Sequence, residues 1–551
     1  MPVVEFIFER FKKFFPGRKL DDVLKILPYI GLDIESIDRE GVRLEYNPNR
    51  PDFSSDYGIA RAVKGLLGTE EGIPKFKLAG RSRFVIQVDR STKRIRPWIV
   101  SLVAKNGELD EETIKQLLTM QEDLQNVIGR KRINASIGIH NLDVIVFPVT
   151  YRTVRDNFAF VPLGDSSRQT LGRILRESIL GKHYGHILSR FSLYPILEDA
   201  QGNVLSFPPI VNSDFTRIDT QTKNLFVEVT GSDLRLAEDI LSIIAMTLYD
   251  AGFEIQTVSI ASSPGRSSET PRMDPFQIEI KKHFINNMLG LDLKNNDVLK
   301  CLSKSRLKGK FSYGDVIKCT IPRYRTDIID YADLVEEVAI GYGVYNFRPS
   351  MPASDLAGNR NFLSAYLDVA RETMVGLGIL EVVNFSLISR KIEYQFMGIP
   401  ERTRILSVDQ TRSIEHEVLR ESLTPSLMQT LSHNIHEEYP QKIFEIGKVF
   451  QLSDKVQENW KLGFVVSHSR ANYTEGKSIV QTLLKVGFGK DAVTAHTINP
   501  ILVPGRSSDI RVDDISVGYI GEIQPIVMDN FRLRVPVVAS EINLSQVLPI
   551  R

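Results

Sequence analysis

Apolar residues recur along this chain at two spacings. Between 331 and 340, Leu334, Val335, Val338 and Ala339 stand three to four apart, which predicts a helix with one apolar face. Asp330 stands where an N-cap would, Asp333 completes a capping-box-like pair, and Gly341 and Gly343 supply the stop. The same reading predicts helices over Ile59–Leu67, ended by Gly68, over "DEETIKQLLTMQEDLQNVIGRKR", over "RQTLGRILRESILGKHYGHIL" and over Leu236–Ala251. Short runs such as "FVIQV", "WIVSLVA", "ASIGIH" and "LFVEVTGSD" predict strands. Ahead of the first helix, Pro48 and Pro51 force extended backbone. "ASSPGRSSETPRMDP", residues 261–275, reads as a linker. Beyond it comes a small domain that begins and ends with a helix. A last segment opens with Leu363, Tyr366, Leu367, Ala370 and Met374 on one helix face, then strand "ILEVVNFSLI". The fold class expected is α+β and multidomain, with domains at 1–80, 84–260, 270–347 and 356–551.

Composition narrows the function. The 551 residues carry a net charge of +1, so any polyanion contact must use a local patch rather than a bulk field. Two cysteines, Cys301 and Cys319, allow neither a disulfide framework nor a Cys-rich zinc site, which fits a reducing cytoplasm. Acidic Glu5 and Glu9 stand where a signal peptide wants positive charge, and no apolar run reaches membrane-spanning length.

Candidate chemistry falls in a few places. In "PRYRTDIIDYADLVEEVAIGYG", Asp333, Glu336 and Glu337 share one side of the predicted helix, and Asp327 precedes it. Such acids suit either a helix first turn, favoured by its dipole, or a magnesium site built from carboxylate oxygens. In "SFPPIVN" and "LFVEVTGSD", Ser206 and Asn212 flank the stiff Pro208-Pro209 pair, while Glu228 and Thr230 share one strand face. Hydroxyls, an amide and one carboxylate can converge there on a small polar pocket. "GRKR", 129–132, is basic enough to touch a phosphate. The pairs His183/His186 and His433/His436 have ligand spacing but no third ligand nearby in sequence. No phosphate-cradling loop ending in Gly-Lys-Ser/Thr and no Gly-x-Ser-x-Gly nucleophile elbow occurs.

Taken in order, "NPNRPD", "IGRKR" with "SIGIHNLD", "SFPPIVN", "EVTGSD", "PRYRTDIIDYADLVEEVAIGYG", "VLRESLTPSLM" and "FEIGKVF" resemble the β subunits of phenylalanyl-tRNA synthetase, of the archaeal and eukaryotic type. The resemblance implies an (αβ)2 heterotetramer that joins phenylalanine to tRNA(Phe) at the expense of ATP bound on the α subunit. It implies an α/β N-terminal domain, a B3/B4-type editing domain, a small B5-type domain and a class II synthetase-like antiparallel module. The last would be non-catalytic, because "FEIGKVF" lacks the Arg-x-Glu of an active site, and its 363–388 region would dock α. By the same resemblance Ser206, Glu228 and Thr230 edit mischarged Tyr-tRNA(Phe), with Leu197, His140, Pro208 and Asn212 around the substrate. Asn141 and Gln125 stand where relatives often carry Asp and His. Asp327, Asp333, Glu336 and Glu337 would ligate Mg2+. The rival readings are a free-standing tRNA-binding scaffold and a stand-alone aminoacyl-tRNA deacylase.

Overall fold

A computed structural model describes residues 2–262, 266–352, 356–409, 411 and 413–547. The chain forms two compact units, Met1–Met351 and Pro352–Arg551.

The first unit opens with a three-stranded sheet in the order Val3–Ile7, Gly41–Tyr46, Leu32–Ile37. Helix Asp56–Leu66 packs on it and starts where Ser55 accepts from the Gly58 amide. A Cβ at Gly58 would collide with the Asp52 carbonyl, so the Pro51-Asp52 turn and the helix can meet only over glycine.

A ten-stranded sheet follows. One strand in from its end, Leu225–Gly231 lies antiparallel between Trp98–Lys105 and Ala135–Asn141, in a register that sets Glu228 opposite Gly138 and Thr230 opposite Ser136. Val227 and Val229 point the other way, with Ile137 and Ile139, into a core closed by helix Leu234–Asp250. Helix Glu111–Asn126, capped by Asp110 accepting from the Thr113 amide, packs against the same core. The sheet runs from Val211–Asn212 and Val204–Phe207 at one end to Ala135–Asn141 at the other. It curls until its ends meet: Ser206 and Glu228, six strands apart in the order, are hydrogen-bonded.

Three sequence expectations change here. The linker expected over 261–275 is only partly one: Glu254–Ser262 and Arg266–Thr270 pair antiparallel within the sheet, 271–275 are irregular, and 263–265 lie outside the described residues. The helix expected over 168–188 breaks at Ser178, whose backbone is extended and whose hydroxyl caps Ile179–Tyr184. The left-handed residues Arg130, Lys131 and Arg132 stop the helix before "GRKR".

The small domain is a three-stranded sheet, Phe276–Lys281, Val316–Ile321, Lys308–Phe311, covered by helices Lys282–Leu289, Asn295–Lys304 and Tyr331–Tyr342. Its core gathers Ile285, Val298, Leu302, Ile317, Leu334 and Val338. Both cysteines are buried and free.

The second unit is built on a seven-stranded sheet, antiparallel except for the edge pair Leu380–Glu381 with Gln441–Leu452. Helix Phe362–Gly376 buries Leu367, Ala370 and Met374 against one face, as its spacing predicts. The strand expected over "ILEVVNFSLI" is only two short pieces, Leu380–Glu381 and Leu387–Ile388. Val383 and Phe385 between them are 88% and 79% exposed, whereas Ile379 and Ile388 at the ends of the run are buried. Among the described residues no helix is long and apolar enough to cross a membrane.

Candidate functional site

Where the curled sheet closes, a pocket of about 610 Å3 opens between helix Glu111–Asn126, strand Ala135–Asn141 and the loop that follows Val204–Phe207. Ser206, Pro208, Asn212 and Glu228 line it, as their motifs suggest. Ile114, Leu118, Ile137, Ile139 and Leu180 make much of the remaining wall apolar.

Three other expected site residues stand behind the wall. Leu197 belongs to the hydrophobic core and faces Ser206 only as its strand partner. His140 is fully buried, its Nδ1 2.8 Å from Thr216 Oγ1, and Thr216 is the residue that reaches the pocket. Thr230 is also fully buried and sits 3.0 Å from Ser136 Oγ, again with the partner on the wall. Ser136, Thr216, Arg132, Gln121 and Gln125 are pocket residues that motif reading did not assign as site residues. The alternation Ser136, Gly138, His140 on one strand face was the available signal for the first of them.

The polar atoms of the site are incompletely matched. Ser206 Oγ donates to Glu228 Oε1 at 3.1 Å, but Glu228 Oε2 and His140 Nε2 are buried without a hydrogen-bond partner. His140 Nε2 lies 4.0 Å from Glu228 Oε1. Gly138 leaves this gap open, since a Cβ there would come within 2.5 Å of the imidazole and 2.6 Å of the carboxylate. Behind the pocket Arg96 is buried, and burial pushes its guanidinium down to about 10, only partly offset by Tyr151 and Glu228.

"GRKR" has a structural use as well. Arg132, third of three consecutive left-handed residues, turns inward; its guanidinium donates to the Pro209 and Ile210 carbonyls at 3.3 and 3.0 Å and pairs with Glu122 at 2.7 Å. It therefore fixes the Pro208-Pro209 wall, while Arg130 and Lys131 stay exposed for any phosphate. The His183/His186 pair does not converge on a ligand: His186 Nδ1 is 3.0 Å from the His183 carbonyl.

At the acidic helix the four candidate magnesium ligands are divided. Asp330 caps Tyr331–Tyr342, and Asp333 Oδ2 accepts from the Ile329 and Asp330 amides at 2.7 and 2.8 Å. Arg325, 2% exposed, reaches both Asp327, at 2.7 Å, and Glu337. Burial disfavours the Arg325 charge, but the two carboxylates outweigh it and hold the guanidinium well above its usual range. Burial likewise opposes the Asp327 charge, and Arg325 and Arg50 overcome it, leaving that carboxyl below its usual range. Only Glu336 makes no hydrogen bond or ion pair among the described residues. Burial, then Glu337, Asp327 and Asp333, push its carboxyl up. The donor chemistry is all oxygen and suits a hard cation, yet among the described residues no group of three or more His, Cys, Asp or Glu side chains is placed to hold a metal ion. The closed carboxylate cage that the sequence pattern suggests is not formed, because Arg325 already occupies the centre of the cluster.

A profile of the phenylalanyl tRNA synthetase beta chain CLM domain matches residues 348–544, and one of the tRNA synthetase B5 domain matches residues 278–344. The phenylalanine–tRNA ligase beta subunit of Archaeoglobus fulgidus is 36% identical over 99% of this chain and 98% of its own length. That of Pyrococcus furiosus is 36% identical over 90% of this chain and 89% of its own. A crystallised N-terminal fragment of the phenylalanyl-tRNA synthetase beta subunit from Pyrococcus horikoshii superposes with a TM-score of 0.60 at 31% identity, covering 62% of this chain and all of the fragment. With two domain profiles in chain order and full-length relatives above 30% identity, this chain belongs to the family of phenylalanine–tRNA ligase beta subunits.

Proposed function

We propose that the pocket closed by Ser206 and Glu228 hydrolyses tyrosine from mischarged Tyr-tRNA(Phe), within a ligase complex that charges tRNA(Phe) with phenylalanine. The observation that carries this is the buried, unpartnered Glu228 Oε2 at the wall of an otherwise largely apolar cavity, with a second unpartnered atom, His140 Nε2, behind that wall. A buried polar atom without a partner costs roughly 1–3 kcal/mol, and a ligand that supplies the partner recovers it. Tyrosine differs from phenylalanine by one hydroxyl, which an apolar pocket rejects only about a hundredfold, whereas a pocket built to bond that hydroxyl discriminates far more strongly.

Glu228 is assigned to the tyrosine hydroxyl or the terminal ribose and Ser206 to orienting the ester and a water, while Thr230, expected from the motif to share that task, stands behind Ser136 and acts only through it. The Ser206 hydroxyl donates to Glu228 and no Ser-His-Asp set is formed with it, so the hydrolysis is assigned to a positioned water without an acyl-enzyme. Water attacks the ester carbon, the bond to the ribose oxygen breaks, and the proton passes to that oxygen; placement supplies the rate. The test uses preformed Tyr-tRNA(Phe) and Phe-tRNA(Phe) with the assembled complex. Tyrosine release should exceed phenylalanine release by at least about a hundredfold, and Ser206→Ala should slow it; equal release of both amino acids would overturn the reading.

Amino-acid activation is assigned to an α subunit, in an (αβ)2 assembly, with ATP bound there. The second unit, read as a non-catalytic class II synthetase-like module, supports this. Glu445, the one carboxylate of "FEIGKVF", is consumed by Arg420 at 2.6 Å, both being buried. The uncovered Leu380, Val383 and Phe385, with His416 against the Phe385 ring, give α an apolar surface. The four carboxylates do not fit a closed magnesium site, since Arg325 engages Asp327 and Glu337 and two amides engage Asp333 Oδ2; Glu336 is the one left to hold Mg2+, through water. No hydrolytic step runs through it.

A further inference from the structure

Several buried arginines of the first unit have carboxylate partners: Arg10 has Asp56, Arg61 has Asp250, and Arg325 has Asp327 and Glu337. Arg96, 2% exposed, forms no ion pair among the described residues. Its partners are uncharged. Nε donates to Thr230 Oγ1 at 3.0 Å, Nη2 to the Thr230 carbonyl at 2.7 Å and to Ser136 Oγ at 3.2 Å, and Nη1 to the Ile133 carbonyl at 3.2 Å.

A guanidinium only donates, so both hydroxyl oxygens accept from Arg96. The two oxygens are 3.0 Å apart, which leaves one hydroxyl proton to join them and one to point elsewhere. Thr230 is fully buried and touches no further acceptor among the described residues, whereas Ser136 stands on the pocket wall. Only one direction uses both protons: Thr230 donates to Ser136, and Ser136 presents its own proton to the pocket.

We infer that Arg96 is a positioning residue that fixes this hydroxyl chain, and that Ser136 is the donor offered to the carbonyl oxygen of the bound aminoacyl ester. The inference rests on the hydrolytic reading above and assigns Thr230 an indirect part in it. As water adds to the ester carbon, negative charge gathers on the carbonyl oxygen, and a donor already aimed there needs no reorganisation. Two acceptor bonds from a cation polarise the chain in the required sense.

The assembled complex and preformed Tyr-tRNA(Phe) provide the test. Ser136→Ala and Thr230→Val should each lower kcat for tyrosine release about 100-fold, the size of losing one oxyanion donor, with KM within about twofold. The double variant should be no slower than either single one, because both break one chain. Arg96→Lys should fall in the same way; if it misfolds, seen as lost Phe-tRNA formation, the two hydroxyl variants still decide. A wild-type rate for Ser136→Ala beside a slow Thr230→Val, or multiplied losses in the double variant, would overturn the inference while leaving the hydrolytic reading intact. No tyrosine release by the wild type would instead overturn that reading.

Discussion

Two buried charged clusters of the first unit are built on opposite terms. At the acidic helix every nitrogen of Arg325 is engaged by Asp327, Glu337 or the Ser305 carbonyl. Glu228 on the pocket wall and His140 behind it are equally buried, yet each keeps one polar atom unmatched, and Arg96 has no carboxylate in contact. The first arrangement holds the fold together by itself. The second carries a standing cost that only a bound ligand or water relieves. The clusters therefore differ in how fully their buried charges are matched, a difference that residue type alone does not show.

The comparison breaks most visibly at Arg325. Arg325→Met strands Asp327 and Glu337 and should cost about 3–5 kcal/mol, read as a lower denaturant midpoint. Glu228→Gln in the same titration should cost nothing or add stability, since it removes an unmatched buried charge.

The second unit holds an acid of the pocket's kind. Glu393 accepts from the Glu421 amide but keeps Oε2 without a partner, and burial, then Glu541 and Glu421, push its carboxyl up to about 8. Because the folded state holds this proton more tightly than the unfolded chain, stability is greatest below the ordinary carboxylate range and declines as pH rises toward about 8, where the loss levels off. Glu393→Gln should abolish that slope and raise stability at pH 9 by a few kcal/mol, measured by thermal unfolding across pH.

Gly138→Ala would press a methyl between His140 and Glu228 and should cost about 1–3 kcal/mol while closing the gap that a ligand needs. Differential scanning calorimetry on the variant gives the number. The smallest effect is expected at Glu336: Glu336→Gln should shift stability by under about 0.5 kcal/mol without magnesium but lose any magnesium-dependent gain in Tm.

Much of this was legible from local chemistry. Asp330 and its apolar stripe fix the helix Tyr331–Tyr342, and the stiff "SFPPIVN" loop with the alternation of "EVTGSD" brings Ser206 and Glu228 forward. What stayed hidden depends on the curl of the sheet. Alternation puts Glu228 and Thr230 on one face, but only the closed seam leaves Glu228 in the pocket and sets Thr230 behind Ser136. Arg96 gives no sign in sequence, because its partners lie about 40 and 134 residues away. Arg325 is visible two positions before Asp327, yet only its burial shows that it takes the place expected for a cation.

The central claim is that the unmatched carboxylate of the pocket is kept for hydrolysis. Single-turnover release of tyrosine from Tyr-tRNA(Phe) by the complex carrying Glu228→Gln tests it most directly. The account predicts release slowed at least about 100-fold while Phe-tRNA formation continues at the normal rate. Release at the wild-type rate would contradict it.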